Sequence, residues 1–128
     1  MRFGGFFNQG YGWQQGGFGS APAGCRQIDS MQAHELIRDG NALVVDVREP
    51  HEFAAGRIPE AQLIPLGQIA HHVDTLKQHG ERPIILSCRT GSRSEMVCRF
   101  LHEQGFENIY NLAGGVMGWQ MANLPLDQ

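Results

Sequence analysis

Cys88 stands at a point in the chain where covalent chemistry is easily arranged. It follows the apolar run Ile84-Ile85-Leu86 and then Ser87, and it opens the stretch Arg89-Thr90-Gly91-Ser92-Arg93-Ser94. A helical pattern comes next, Met96-Val97 and then Phe100-Leu101. The pattern predicts a buried strand, a tight turn at Cys88 and a helix start. Backbone N–H groups at a helix start lack intrahelical partners, and the helix dipole favours negative charge there. A thiolate is an anion, and it is the nucleophilic form of cysteine. Thiol pKa falls to roughly 3.5–7.5 at helix N-termini beside cations. Cys88 is therefore the candidate nucleophile. Backbone N–H groups from Arg89 to Ser94 are candidates to ring its sulfur. Arg89 and Arg93 add positive charge, the hydroxyls of Thr90, Ser92 and Ser94 add donors, and Gly91 eases the turn. An ionised thiol needs no general base.

The elements around this turn alternate between strand and helix. Arg26-Gln27-Ile28 reads as a short edge strand. Asp29 or Ser30 caps a helix, with Gln32 placed to complete a capping box with Asp29, and Gly40 stops it. Leu43 to Val47 is an apolar, β-branched run interrupted only by Asp46, which fits a strand buried on both faces. Arg48 to Phe53 reads as a turn with one short helix. Gly56 to Pro59 is loop, Ala61 to Ile64 a short strand, and Leu66 to about Gln78 a helix ended by Gly80. Ile84 to Ser87 is the strand before Cys88, and the following helix runs to Gln104 with Gly105 after it. Ile109 to Leu112 is the last strand. Gly114-Gly115 is a tight turn, and Val116 to Ala122 a short helix ended by Asn123 and Pro125. The order predicts an α/β fold with a mostly parallel five-stranded sheet and helices on both faces. In such sheets, sites lie beyond the carboxyl ends of the strands. Cys88, the pair Asp46 and Arg48, and Gly114-Gly115 all fall at such ends.

The whole chain bounds the reading further. Its 128 residues suit one domain, and a net charge of −3 argues against general nucleic-acid binding. Three cysteines, Cys25, Cys88 and Cys98, make neither a disulfide framework nor a zinc pattern, which points to a reducing, cytoplasmic setting. No apolar run approaches the roughly 20 residues of a membrane span, and the N-terminus lacks a signal-like apolar core. Residues 1–24 stand apart, with eight glycines, six aromatics and Arg2 as their single charge. They read as a flexible low-complexity tail, or as a sticky segment that docks on a partner or on itself. The domain proper is residues 25–128.

Five stretches together resemble the rhodanese family of sulfurtransferases. They are Val45-Asp46-Val47-Arg48-Glu49-Pro50 with His51-Glu52-Phe53, then Gly56-Arg57-Ile58-Pro59-Glu60-Ala61, then Ile64-Pro65-Leu66, the loop Cys88 to Ser94, and Leu112-Ala113-Gly114-Gly115-Val116 with Gly118-Trp119. The match spans about residues 26–126. It implies a single-domain rhodanese fold and transfer of a sulfane sulfur through a persulfide on Cys88. It further implies a small sulfur anion such as thiosulfate as donor, cyanide or a thiol as acceptor, and no cofactor or metal. A module that relays sulfur between protein partners, with little turnover of small molecules, is the alternative. Phosphatases and arsenate reductases share a related loop. Cys88 to Arg93 makes a six-residue loop, which in this superfamily goes with sulfur transfer, whereas a seven-residue loop goes with phosphatases.

The chain departs from the family pattern at two neighbouring positions. Arg57 replaces a frequent histidine and either faces the donor anion or pins its own loop. Glu60 stands where glycine is frequent, which is expected only if the backbone there has no need of positive φ. Asp46 and Arg48 are assigned a structural role near the site, with Arg48 paired to a carboxylate. Glu49 and Glu52 read as solvated. The histidines form no ligand spacing. Cys98 reads as a buried inert thiol, and Cys25 as a tail thiol with a conceivable resolving role. Met117 and Trp119 read as packing, or as an apolar wall beside the sulfur.

Overall fold

A computed structural model describes residues 25–128 of the chain. The reading of residues 1–24 as a tail lies outside the described residues. The elements, in chain order, are β1 (Arg26–Ile28), α1 (Ser30–Arg38), β2 (Leu43–Asp46), α2 (Pro50–Ala55), β3 (Gln62–Leu63), a 3₁₀ segment (Leu66–His72), α3 (Val73–Lys77), β4 (Ile84–Ser87), α4 (Ser92–Glu103), β5 (Ile109–Leu112) and α5 (Gly115–Met121).

The five strands form one sheet in the order β1-β5-β4-β2-β3. Every pairing is parallel, with Val45 beside Leu86 and Leu86 beside Asn111 in the central register. Parallel sheets are covered on both faces, so their strands are apolar throughout. The alternation of side chains divides β2 and β4 between two cores. Val45, Ile84 and Leu86 pack on one face with Val97, Cys98 and Leu101 of α4 and Leu76 of α3. Val44 and Ile85 pack on the other with Ala33 of α1 and Val116 and Trp119 of α5. Each fully buried Ile or Leu contributes roughly 1.5–3 kcal/mol. The two cores fix β4 from both sides, and hence the position of the residue after it.

The capping box at α1 is present: the Gln32 N–H donates to Asp29 Oδ1 at 2.8 Å and the Asp29 N–H to Gln32 Oε1 at 2.9 Å. The helix expected over residues 66–78 is instead a 3₁₀ segment followed by a five-residue α-helix. The His72 ring makes a local contact at the end of this segment. Its Nδ1 lies 2.9 Å from the Gln68 carbonyl, the acceptor that an α-helix would offer to the His72 N–H. Gly67 lowers helix propensity there.

Glu60 has φ 66°, so the expectation that its backbone would avoid positive φ is overturned. The turn before β3 needs the left-handed conformation that glycine meets without cost, and this chain adopts it with a side chain in place.

Candidate active site

β4 ends at Ser87, and α4 begins at Ser92 with Gly91 as its N-cap at φ 108°. Cys88 therefore lies at the mouth of the α4 dipole. Its sulfur accepts from the Gly91 N–H at 3.1 Å and the Ser94 N–H at 3.4 Å, with the Ser94 hydroxyl also at 3.4 Å. The residue is fully buried. Burial pushes the thiol pKa up. Hydrogen bonds from the Ser94 hydroxyl and from the backbone of Ser94, Gly91 and Thr90 outweigh it, and the net direction is down.

The Ser94 hydroxyl has one proton and several acceptors. Asn111 Oδ1 is 2.5 Å away and the Gly91 carbonyl 3.3 Å. Asn111 is oriented by its own amide, which donates to Gln27 Oε1 at 2.9 Å and to the Gly91 carbonyl at 3.1 Å. The hydroxyl proton is thus shared with Asn111, while the two backbone N–H groups have the sulfur as their acceptor. Those N–H groups are the constant part of the cradle.

The loop is held from the other side by α5. The Val116 N–H donates to the Cys88 carbonyl at 2.8 Å and the Met117 N–H to the Arg89 carbonyl at 3.0 Å. Both carbonyls are bound to α5 while the loop's N–H groups turn towards the sulfur. Gly115 permits the approach, because a Cβ there would lie 2.5 Å from both carbonyl oxygens. Gly91 is similarly enclosed, with the Gly114 N 3.2 Å from a Cβ built on it.

Beyond the strand ends lies a hollow of about 580 Å³, lined by Arg48, Glu52, Arg89, Met117 and Gln120 among others. Arg48 is locked. Its Nε and Nη2 donate to the Asp46 carboxylate at 2.8–3.1 Å, its backbone N–H reaches Asp46 Oδ1 at 3.0 Å, and Nη2 also reaches the Gly56 carbonyl at 2.8 Å. The pair is almost wholly buried, and its charges satisfy each other. It fixes the Gly56 turn to the end of β2.

The loop side chains take different places. Arg89, Thr90 and Ser92 are exposed. The Arg89 guanidinium has no hydrogen-bond or ionic partner among the described residues. Of the three loop hydroxyls, Ser94's alone reaches the sulfur. Arg93 turns to Glu52 and binds it with two parallel bonds of 2.9 and 3.0 Å. The sequence reading of Glu52 as solvated is therefore corrected. The Arg93 hydrogen bonds, then the Glu49 N–H, hold its carboxyl at about 2, far below the usual range. Arg57 is not among the residues of the hollow. Its guanidinium lies over the Phe53 ring, 4.9 Å from the centroid, and its backbone pairs with Asp127. Trp119 is buried in the opposite core with its Nε1 donating to the Pro125 carbonyl, whereas Met117 is part of the hollow's wall.

Cys25, placed at the end of the tail by the sequence, is fully buried in the core that also holds Cys98. The Cys25 contact and burial push the Cys98 thiol up, keeping it neutral. All three cysteines are free thiols. Sequence reasoning missed two residues here, Glu52 and Asn111. Asn111 left one signal, an amide in the otherwise apolar run of β5.

Comparison with known proteins agrees with this architecture. The rhodanese-like domain model matches residues 30–122, and the chain belongs to that family. A sulfurtransferase of Allochromatium vinosum is 34% identical over 101 residues, covering 78% of this chain and 92% of that protein. The thiosulfate sulfurtransferase GlpE of Pseudoalteromonas translucida is 32% identical over 97 residues, covering 76% and 90%. The crystal structure of a rhodanese-related protein of Thermoplasma volcanium superposes with TM-score 0.72 at 28% identity, covering 80% of this chain and 97% of that one. Its rhodanese-like domain places the chain in the sulfurtransferase family. Among the described residues no helix is long and apolar enough to cross a membrane.

Proposed function

We propose that the protein moves a sulfane sulfur from a small donor, thiosulfate or a persulfide, to cyanide or a thiol, by way of a persulfide on Cys88. One observation carries this reading: the Cys88 sulfur accepts two backbone N–H groups at the start of α4 inside a six-residue loop. The thiolate attacks the outer sulfur of the donor. An S–S bond to Cys88 forms, the donor's S–S bond breaks, and sulfite leaves thiosulfate with the bonding electron pair. The new terminal sulfur carries the negative charge, which donors facing the loop stabilise. An acceptor then attacks that sulfur, and Cys88 departs as a thiolate. The lowered pKa that makes Cys88 ionise also makes it a good leaving group.

Three free thiols suit a reducing, cytoplasmic compartment. Phosphatase chemistry fits less well, since Glu52 occupies the arginine that would have to clamp a phosphoryl group. Relay between protein partners is the alternative, and the full burial of Cys88 requires either kind of donor to reach into the loop. Incubation with thiosulfate followed by mass analysis tests the proposal. A gain of one sulfur on Cys88, lost in Cys88→Ala, is the expected result. Persistence of the gain in that variant overturns it. A gain only from a protein persulfide selects the relay.

A further inference from the structure

The charged side chains around the hollow are almost all spoken for. Arg48 is neutralised by Asp46, and Glu52 by Arg93, which itself lies outside the hollow's lining. Arg89 remains as the cation without a partner among the described residues. Glu52 itself lines the hollow, so its carboxylate is part of the surface a donor meets. Arg93, five positions after Cys88 in the loop, is held charged first of all by its two hydrogen bonds to Glu52. A loop arginine that would otherwise face an incoming anion is therefore held against a carboxylate at the mouth.

We propose that Glu52 is a specificity-determining residue that sets the charge of the sulfur donor. By holding Arg93, it leaves a hollow matched to a monoanionic donor, R–S–S⁻ or R–SO₂–S⁻, in preference to the thiosulfate dianion. This assignment rests on the sulfur-transfer reading above and narrows its substrate class. The chemistry balances for either donor. With a thiosulfonate, Cys88–S⁻ and R–SO₂–S⁻ give Cys88–S–S⁻ and the sulfinate R–SO₂⁻, which departs with the electron pair of the broken S–S bond.

Thiosulfate and benzenethiosulfonate transfer the same kind of sulfur and differ in charge, so they separate the terms. For each donor the variant is compared with the wild type, which cancels the difference in size. Glu52→Gln removes the mouth's carboxylate and releases Arg93. It lowers KM for thiosulfate about five- to tenfold and KM for benzenethiosulfonate, which carries half the charge, only about two- to threefold, the change falling on KM more than on kcat. Arg93→Gln leaves Glu52 unpaired and raises KM for thiosulfate more than KM for benzenethiosulfonate. Equal changes for the two donors in both variants overturn the role of Glu52. In the wild type, one sulfur gained on Cys88 from either donor keeps the sulfur-transfer reading standing whatever the variants do. No gain from either donor overturns the small-donor form of that reading, and this inference with it.

Discussion

Gly115 lies against the turn after Cys88 so closely that a methyl group on it would sit 2.5 Å from the Arg89 carbonyl oxygen. The obstacle is backbone, so no rotamer change relieves it. The Gly115 φ of 59° adds a second penalty for any side chain. Gly115→Ala is expected to push α5 from the loop and break the bonds from Val116 and Met117 to the loop carbonyls. Overpacking of this kind costs about 1–3 kcal/mol. A melting curve should fall accordingly, and sulfur uptake on Cys88 should drop by about 100-fold or more. Retained uptake at normal stability would show that the loop holds its shape without the clamp.

Alkylation of Cys88 by iodoacetamide follows its thiolate fraction. The midpoint of rate against pH is expected below the ordinary thiol value, since the loop's hydrogen bonds outweigh burial. Reaction rises with pH through that midpoint and levels off above it. Ser94→Ala removes a donor and should move the midpoint upward, although the Gly91 and Ser94 N–H groups remain. A wild-type midpoint at or above the ordinary thiol value removes the basis for an ionised nucleophile at neutral pH.

The Glu52–Arg93 pair links stability to acid. Folding lowers the Glu52 pKa from 4.5 to about 2. The folded state therefore gains stability above pH 4.5, and that gain is lost as pH falls from 4.5 towards 2. Both side chains are partly exposed, so the contribution is about 0.5–1 kcal/mol. Urea unfolding of wild type and Glu52→Gln should differ by that amount at pH 7 and converge near pH 2. A constant difference across the range would assign the effect to packing.

Glu60 adopts φ 66°, which costs a side-chain-bearing residue about 1–2 kcal/mol. Glu60→Gly relieves this but frees the unfolded chain, which takes back about 0.4–1 kcal/mol. A net gain of about 0.5 kcal/mol is expected, raising Tm by about 2–4 °C. A lower Tm would mean that the Glu60 side chain makes a compensating interaction.

Much of this arrangement was legible in the sequence because it rests on local pattern. Five strands could be read from apolar runs, and the α1 cap from Asp29 and Gln32. Cys88 announced itself by its place between a strand and a helix. What escaped depends on partners remote in sequence. Glu52 sits on the short helix α2, whose face looks solvated, and its partner Arg93 lies 41 residues later. Asn111 takes its meaning from Ser94, Gly91 and Gln27, which only the sheet brings together. The 3₁₀ segment escaped because Ile69, Val73 and Leu76 are apolar at a spacing that both helix types can bury. Cys25 looked like tail because the composition changes beside it, yet strand pairing of β1 with β5 draws it into the core.

The clamp on the loop also has a consequence in time. The residues that bind the Cys88 and Arg89 carbonyls, Val116 and Met117, are made after the cysteine they serve. During synthesis, a growing chain that stops short of α5 carries Cys88 without its full cradle. The hold of α5 on the two loop carbonyls is thus the last part of the site's framework that the chain can make.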